Sequence, residues 1–239
     1  MIVIPARLGS TRFENKILVN INGLPMVIAT ANRVKDIDEV VIATNSEDVV
    51  SLAKKHGYRA FMTSSNHQSG TDRINEVATI LKLSDDELII NVQADEPFIE
   101  KEIIFKLHKK LLEMKKDKKD FIMASCAKSI SFREANDPHL VKVILNSKDE
   151  AIYFSRSLIP YSRDTDFDGY LGHLGIYGFC VKSLREFCSL DPSSLELSEK
   201  LEQLRAIQNT KPISMIKVKS KSFGIDTQED LTRALKELS

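Results

Sequence analysis

Three short segments of this 239-residue sequence gather the residue types that handle phosphate and metal. The first, Ala6-Arg7-Leu8-Gly9-Ser10-Thr11-Arg12-Phe13-Glu14-Asn15-Lys16, places three cations and two hydroxyls within ten residues. A triphosphate needs such partners, because its charge must be met by cations and hydrogen-bond donors. With one glycine the segment is neither a Walker A loop nor a G-x-G-x-x-G fingerprint, so side chains rather than a glycine-lined backbone would carry the phosphate charge. A solvated basic loop has the same composition; a place directly after the first strand favours binding.

The second segment is His67-Gln68-Ser69-Gly70-Thr71-Asp72-Arg73. Running into a helix, it offers hydroxyls and free N–H groups to a polar or anionic ligand, although Ser-Gly-Thr-Asp is equally a good capping sequence. The third is Asn91-Val92-Gln93-Ala94-Asp95-Glu96-Pro97. A carboxylate at the end of a central strand suits Mg²⁺, which prefers oxygen ligands and shares them with substrate phosphates. One aspartate does not complete a site, and Asp-Glu-Pro also simply ends a strand. The best distant second carboxylate is Asp226 in Phe223-Gly224-Ile225-Asp226-Thr227.

Farther along, His173 and Tyr177 lie four apart in a glycine-rich strand-like run and would face the same side. Such a pair is more often structural than functional, but the glycines leave room for a ligand. Glu196, Glu199, Glu202, Gln203 and Arg205 fall on one helical pattern whose Leu197, Leu201, Leu204 and Ile207 form the apolar stripe, so most of these polar groups read as a solvated face. No histidine has H-E-x-x-H spacing and no G-x-S-x-G occurs, which leaves zinc hydrolysis and serine-nucleophile chemistry unsupported.

The elements that must position these residues follow from hydrophobic pattern. Ile2–Ile4, Val40–Ala43, Ala60–Met62 and Leu88–Val92 are short apolar runs of the kind that form buried parallel strands. Between them lie helical patterns opening at Pro25, at Ser46 (an N-cap, with Gly57 at the C′ position) and near Thr71. This order predicts right-handed crossovers and a Rossmann-like α/β fold, an open, mainly parallel sheet with flanking helices. In such sheets ligands sit beyond the carboxyl ends of the strands, where all three segments fall. A helix is predicted over Glu100–Met114, followed by a lysine-rich connection. Phe121–Ala127, Leu140–Leu145, Ala151–Phe154 and Leu174–Val181 then read as strands without helices between each pair, a smaller mixed or antiparallel elaboration. The last helix begins at Gln228 behind Thr227, with Asp230 at the capping-box position.

Composition narrows the class. Apolar residues make up 42% and charged residues 28%, ordinary for a globular chain, and the length suits a single domain over residues 1–239. Thirty-four basic residues balance 34 acidic ones, so no global field favours nucleic acid or an anionic membrane. Three cysteines without C-x-x-C spacing indicate neither a disulfide framework nor a zinc site, and the N-terminus is unlike a signal peptide. A cytoplasmic protein, engaged with neither membrane nor nucleic acid, is expected.

At these motifs the sequence closely resembles the 3-deoxy-manno-octulosonate (Kdo) cytidylyltransferases. The matching segments are Pro5-Ala6-Arg7 with Ser10, Arg12 and Lys16; His67 to Arg73; Asn91-Val92-Gln93 with Asp95-Glu96-Pro97; Tyr153-Phe154-Ser155-Arg156 with Ile159-Pro160; His173 to Tyr177; Leu201 to Arg205; and Asp226-Thr227 with Glu229-Asp230-Leu231. The resemblance implies the sheet of the nucleotide-diphospho-sugar transferases and transfer of CMP from CTP to Kdo with Mg²⁺, activating the sugar for lipopolysaccharide synthesis. It implies that Ala6, Arg7, Ser10, Arg12 and Lys16 grip the triphosphate, that Ser69, Gly70, Thr71, Arg73 and Gln93 lie around nucleotide and sugar, and that Asp95 and Asp226 bind the metal. Arg156, His173, Tyr177, Glu199 and Gln203 would complete the sugar pocket, and residues 121–210 would supply both that pocket and the contact of a homodimer. Two departures bear on CTP affinity: Phe13-Glu14-Asn15-Lys16 stands where many members have Leu-Pro-Gly-Lys, and Gln93-Ala94-Asp95 where they have Gln-Gly-Asp. A cytidylyltransferase for another acidic sugar, such as an amino analogue of Kdo, and a non-catalytic nucleotide-binding module are the alternative readings.

Overall fold

A computed structural model describes residues 1–9, 13–164 and 167–237. The first half alternates strands and helices as its pattern predicts: β1 (Ile2–Ala6), a 3₁₀ turn (Lys16–Leu18), a small hairpin of β2 (Asn20–Ile21) and β3 (Leu24–Pro25), α1 (Met26–Val34), β4 (Val40–Thr44), α2 (Glu47–Lys55), β5 (Arg59–Met62), α3 (Gly70–Ile80), β6 (Leu88–Asn91) and α4 (Lys101–Lys116). The second half comprises β7 (Met123–Ser129), α5 (Phe132–Ala135), β8 (Lys142–Leu145), β9 (Ala151–Ser155), β10 (Leu171–Cys180), α6 (Val181–Ser189), α7 (Ser194–Glu199), α8 (Leu204–Gln208), β11 (Ile213–Val218) and α9 (Gln228–Glu237).

The main sheet runs β11-β7-β10-β6-β1-β4-β5, with β8 and β9 branching from β10. Strands β6, β1, β4 and β5 are parallel, and every residue of β1 and β4 is buried. Such strands need apolar residues on both faces, since helices cover both. Alternation then sorts them: Ile2, Ile4 and Ala6 face the layer of α1 and α4, whereas Val3 faces α3 and α6. Strand β10 enters antiparallel between β6 and β7, which gives the mixed elaboration. Two of the predicted caps form as reciprocal boxes, Ser69 with Asp72 and Thr227 with Asp230; Ser46 stands at the N-cap position of α2 but makes no side-chain cap bond.

Several features differ from the sequence expectation. The β2–β3 hairpin, α5, α6 and β11 fall outside it, and β11 pairs parallel with β7 at the far edge. The single helix expected across Glu196 to Ile207 is two, broken where Lys200 adopts a left-handed conformation at φ 55°. Its supposed stripe is likewise divided, with Leu201 and Leu204 buried but Leu197 56% exposed. The reversal costs regular hydrogen bonds, and packing of the Leu201–Leu204 segment against the core offsets it.

Candidate active site

The three chemical segments meet at the carboxyl ends of β1, β5 and β6. Gly70 shows how closely: a Cβ there would stand 3.1 Å from Cγ of Pro5 and 3.8 Å from Oε1 of Gln93. Gly70 of the second segment thus lies close both to Pro5, just before the first segment, and to Gln93 of the third, and the missing side chain permits the approach.

Lys16 is the centre of this convergence. Its ammonium donates to Oδ2 of Asp95 at 2.5 Å and to Oδ1 of Asp226 at 2.7 Å. The loops bearing the two aspartates are fastened together by a backbone bond from Ile225 N–H to the Asp95 carbonyl at 3.0 Å. Burial alone would push the Lys16 ammonium down, but the charge of Asp95 and hydrogen bonds to Asp226 and Asp95 outweigh it and hold the pKa above the ordinary lysine value. Asn15, before Lys16, is left-handed at φ 51°. Asparagine tolerates that region better than other residues with a Cβ, so this departure from glycine preserves the turn. Glu14 is exposed and its charge screened. Ala94 is buried in the core while its carbonyl accepts the Thr30 hydroxyl at 2.9 Å. Ser10 and Arg12 lie outside the described residues.

Arg7 is exposed beside the mouth of the site, and Arg73 is buried behind it. The Arg73 guanidinium donates to the Thr63 hydroxyl and, at 3.2 Å, to the Ser64 carbonyl, bracing the loop that leads into α3. Burial lowers its pKa below the ordinary arginine value; the charge of Glu76 opposes the shift, and the like charge of Arg7 adds to it. The paired guanidinia favour an anion. Ser69 spends its hydroxyl on the cap, accepting from Asp72 N–H at 3.1 Å. The capping reading of this segment is thus met by Ser69 and Asp72, while Thr71 is buried and directs its hydroxyl to Glu202, leaving Gly70 closest to the other two loops.

The expected sugar residues form two groups. In one, the Tyr177 hydroxyl donates to Oε1 of Gln203 at 3.0 Å, Nε2 of Gln203 lies 3.5 Å from Nδ1 of His173, and Nε2 of His173 lies 2.8 Å from the Ser125 hydroxyl. Burial drives the His173 pKa down to about 3, so the ring is neutral. Ser125 donates to the Ile176 carbonyl at 2.8 Å and accepts from His173, which fixes the tautomer with the proton on Nε2. The pairing with β7 shifts register between Leu174 and Tyr177, and the His173 and Tyr177 rings lie with centroids 5.6 Å apart. Of the neighbouring glycines, Gly172 and Gly178 are filled by Ile130 and Leu111, whereas Gly175 faces open space. In the second group, the Glu199 carboxylate accepts from the Ser155 hydroxyl at 2.6 Å and Arg156 N–H at 2.7 Å, while the Arg156 guanidinium donates to the carbonyls of Glu199 and Pro138. Here Glu199 sets the course of the chain at Arg156. The edge of Phe154 against His173, centroids 4.9 Å apart, links the two groups.

Two residues went unrecognised in the sequence. Ser125 carries no signal in an otherwise apolar strand. Glu202 is concealed by the assumption of one continuous helix; the break turns it inward, where Oε1 accepts the Thr71 hydroxyl at 2.9 Å and Oε2 is buried without a partner. Burial raises its pKa to about 7. The folded state thus holds a proton that an unfolded glutamate releases near pH 4, and the associated stability, complete below that value, is lost as pH rises through about 7. The Glu202→Gln variant keeps an acceptor for Thr71 and removes the titration. Its urea midpoint should gain on the wild type from pH 5 to about pH 7 and level off above that; parallel profiles throughout would show that Glu202 titrates as an ordinary carboxylate.

The carboxylate pair fits a hard divalent cation. Its donors are oxygens, and they already surround one positive charge, the Lys16 ammonium. Among the described residues no group of three or more His, Cys, Asp or Glu is placed to hold a metal. A two-carboxylate site completed by phosphate and water suits magnesium, which keeps several non-protein ligands.

A mainly parallel sheet whose loops bring a basic segment onto paired carboxylates is the architecture of a nucleotidyltransferase. The chain belongs to the cytidylyltransferase family, whose model, described as "Cytidylyltransferase", matches residues 1–213. It is 53% identical, over 98% of its length and 97% of the relative's, to a 3-deoxy-manno-octulosonate cytidylyltransferase from Nitratiruptor sp.. Its identity to the protein of that name from Wolinella succinogenes is 50%, over 99% of this chain and 98% of the relative. Among solved structures, a CMP:2-keto-3-deoxy-manno-octonic acid synthetase complexed with CTP superposes with a TM-score of 0.89 at 37% identity, covering 98% of this chain and 96% of the other.

Proposed function

We propose that this chain transfers CMP from CTP to Kdo, forming CMP-Kdo and pyrophosphate. The observation that carries the reading is the convergence of Asp95 and Asp226 on Lys16, in a chain alike over nearly its whole length to enzymes named for this reaction. The anomeric hydroxyl of Kdo attacks the α-phosphorus as the bond to pyrophosphate breaks in line, so the protein's task is to position two anions and offset their repulsion.

Arg7, Ser10, Arg12 and Lys16 take the triphosphate, with Ala6 at the base of their loop. Lys16 and Arg12 meet the charge that develops on the leaving pyrophosphate. Asp95 and Asp226 hold Mg²⁺, which when bound neutralises phosphate charge and makes the phosphorus more electrophilic. The turn Ser69-Gly70-Thr71, with Arg73 braced behind it, shapes the wall between nucleotide and sugar, and Gln93 borders both. On the sugar side Tyr177, Gln203 and neutral His173 present a fixed set of donors and acceptors, and Arg156, held by Glu199, supplies a cation for the Kdo carboxylate. Residues 121–210 would contribute this pocket and the contact of a homodimer. No helix among the described residues is long and apolar enough to cross a membrane.

The test is pyrophosphate release by purified protein with CTP, Kdo and Mg²⁺, against controls omitting each and others replacing CTP or offering an amino analogue of Kdo. Release requiring all three components is expected. Folded protein that binds CTP and releases nothing with any acid sugar would refute the assignment and support a binding module.

A further inference from the structure

We infer that Lys16 is a place-holding cation: in the substrate-free enzyme its ammonium occupies the position between Asp95 and Asp226 that a divalent metal takes, so that metal enters only as Lys16 leaves. The inference rests on the proposed function and extends it to the order in which the site is filled.

Among the described residues, the Lys16 ammonium is bonded to both carboxylates at once. Lys16 donates to an oxygen of each, at 2.5 and 2.7 Å, and its side chain is only 14% exposed. A metal drawn to the same oxygens would meet an ammonium, which offers donors and no ligand atom. The two cations therefore compete, and the Coulomb repulsion between them in a half-buried site makes joint occupancy costly. The two carboxylates stand on loops joined by the Ile225 to Asp95 backbone bond and repel one another at short range. Lys16 removes that repulsion in the resting protein.

The same residue is built to leave. Its backbone is fixed in the 3₁₀ turn, where Leu18 N–H donates to the Asn15 carbonyl at 2.8 Å and Val19 N–H to the Lys16 carbonyl at 3.1 Å, and the next residue, Ile17, is buried. Movement is thus confined to a flexible four-carbon stem carrying a compact charge. A triphosphate arriving with its metal offers the ammonium a new set of oxygens at the moment the carboxylates gain a new cation. Charge stays balanced throughout the exchange. Free metal offers Lys16 no such partner, so the site takes up metal together with nucleotide and stays closed to metal alone.

Mn²⁺ binding to substrate-free protein, followed by the electron paramagnetic resonance signal of the free ion, tests this without turnover. Lys16→Met should bind Mn²⁺ at least roughly tenfold more tightly than wild type, and Lys16→Arg, which keeps a cation, should not. Adding Asp95→Asn to Lys16→Met should abolish the gain. Equal or weaker Mn²⁺ binding by a Lys16→Met protein that melts cooperatively, or a gain that survives Asp95→Asn, would overturn the proposal. Pyrophosphate release by the wild-type preparation is measured in parallel: failure there removes the functional reading, whereas intact turnover with an unchanged Mn²⁺ affinity in Lys16→Met removes the place-holder alone.

Discussion

Replacing Asp95 with asparagine is expected to lower kcat for CMP transfer by roughly a thousandfold or more, equivalent to about 4 kcal/mol of lost transition-state stabilisation, with the fold intact. The substitution keeps shape and removes one of two negative charges from the oxygen pair that gathers a cation. The architecture does not depend on that charge. What ties the Asp95 loop to the Asp226 loop is a bond between Ile225 N–H and the Asp95 carbonyl, a backbone group that the substitution leaves in place. On the proposed role, in which Asp95 helps to offset charge developing in the transition state, kcat and kcat/KM should fall together. Initial rates of pyrophosphate release, beside a thermal melt of the same sample, check both halves of the statement. A cooperatively folded Asp95→Asn protein with near-normal turnover would take Asp95 out of the catalytic machinery.

The largest stability effect is expected from Arg205→Met. The guanidinium grips the Glu196 carboxylate with two parallel bonds of 2.8 and 2.7 Å, both side chains are nearly buried at 5% and 13% exposure, and Arg205 also stacks over Phe187 at 5.0 Å. This clamp joins α7 to α8 across the left-handed break at Lys200, so it holds the segment that carries Glu202 and Gln203. Methionine preserves the packing of the stem but leaves the largely enclosed carboxylate without its cation, its remaining partner being the Ser193 N–H at 3.3 Å, at a cost of about 3 kcal/mol. For a chain of this size that lowers Tm by about 6 to 12 °C. The Michaelis constant for Kdo should rise as well, since Gln203 positions Tyr177 and His173. The double variant Glu196→Gln/Arg205→Met should recover part of the loss, because it leaves no charge unpaired. A change under about 1 kcal/mol in the single variant would mean that the pair behaves as a solvated surface bridge.

Legibility in the sequence followed the range of the forces involved. Strands β1, β4, β5 and β6 were readable because parallel strands covered on both faces must be continuously apolar, and the capped helices because the orphan N–H groups of a first turn select Ser69 with Asp72 and Thr227 with Asp230. Placing the reactive loops at the carboxyl ends of those strands followed from the same pattern. Strand β11 gave less warning, since Ile213–Val218 interleaves serine and lysine with its apolar residues. The helix from Glu196 to Ile207 misled for a different reason. Its apolar spacing is helical, but the left-handed turn at Lys200 is imposed by packing and by the Glu196–Arg205 clamp rather than by local propensity.

The sequence by itself determined the kind of sheet, which loops stand at its ligand-binding end, and which residue types those loops carry. Only the tertiary structure decided that Asp226 reaches the Lys16 to which Asp95 is bound, that Glu202 turns inward to Thr71, and that Gln203 joins Tyr177 to His173. The physical reason is that spacing along a chain records interactions a few residues long, where propensity and capping act. Contacts between distant residues are fixed by strand order, crossover and the burial of side chains that no local pattern distinguishes.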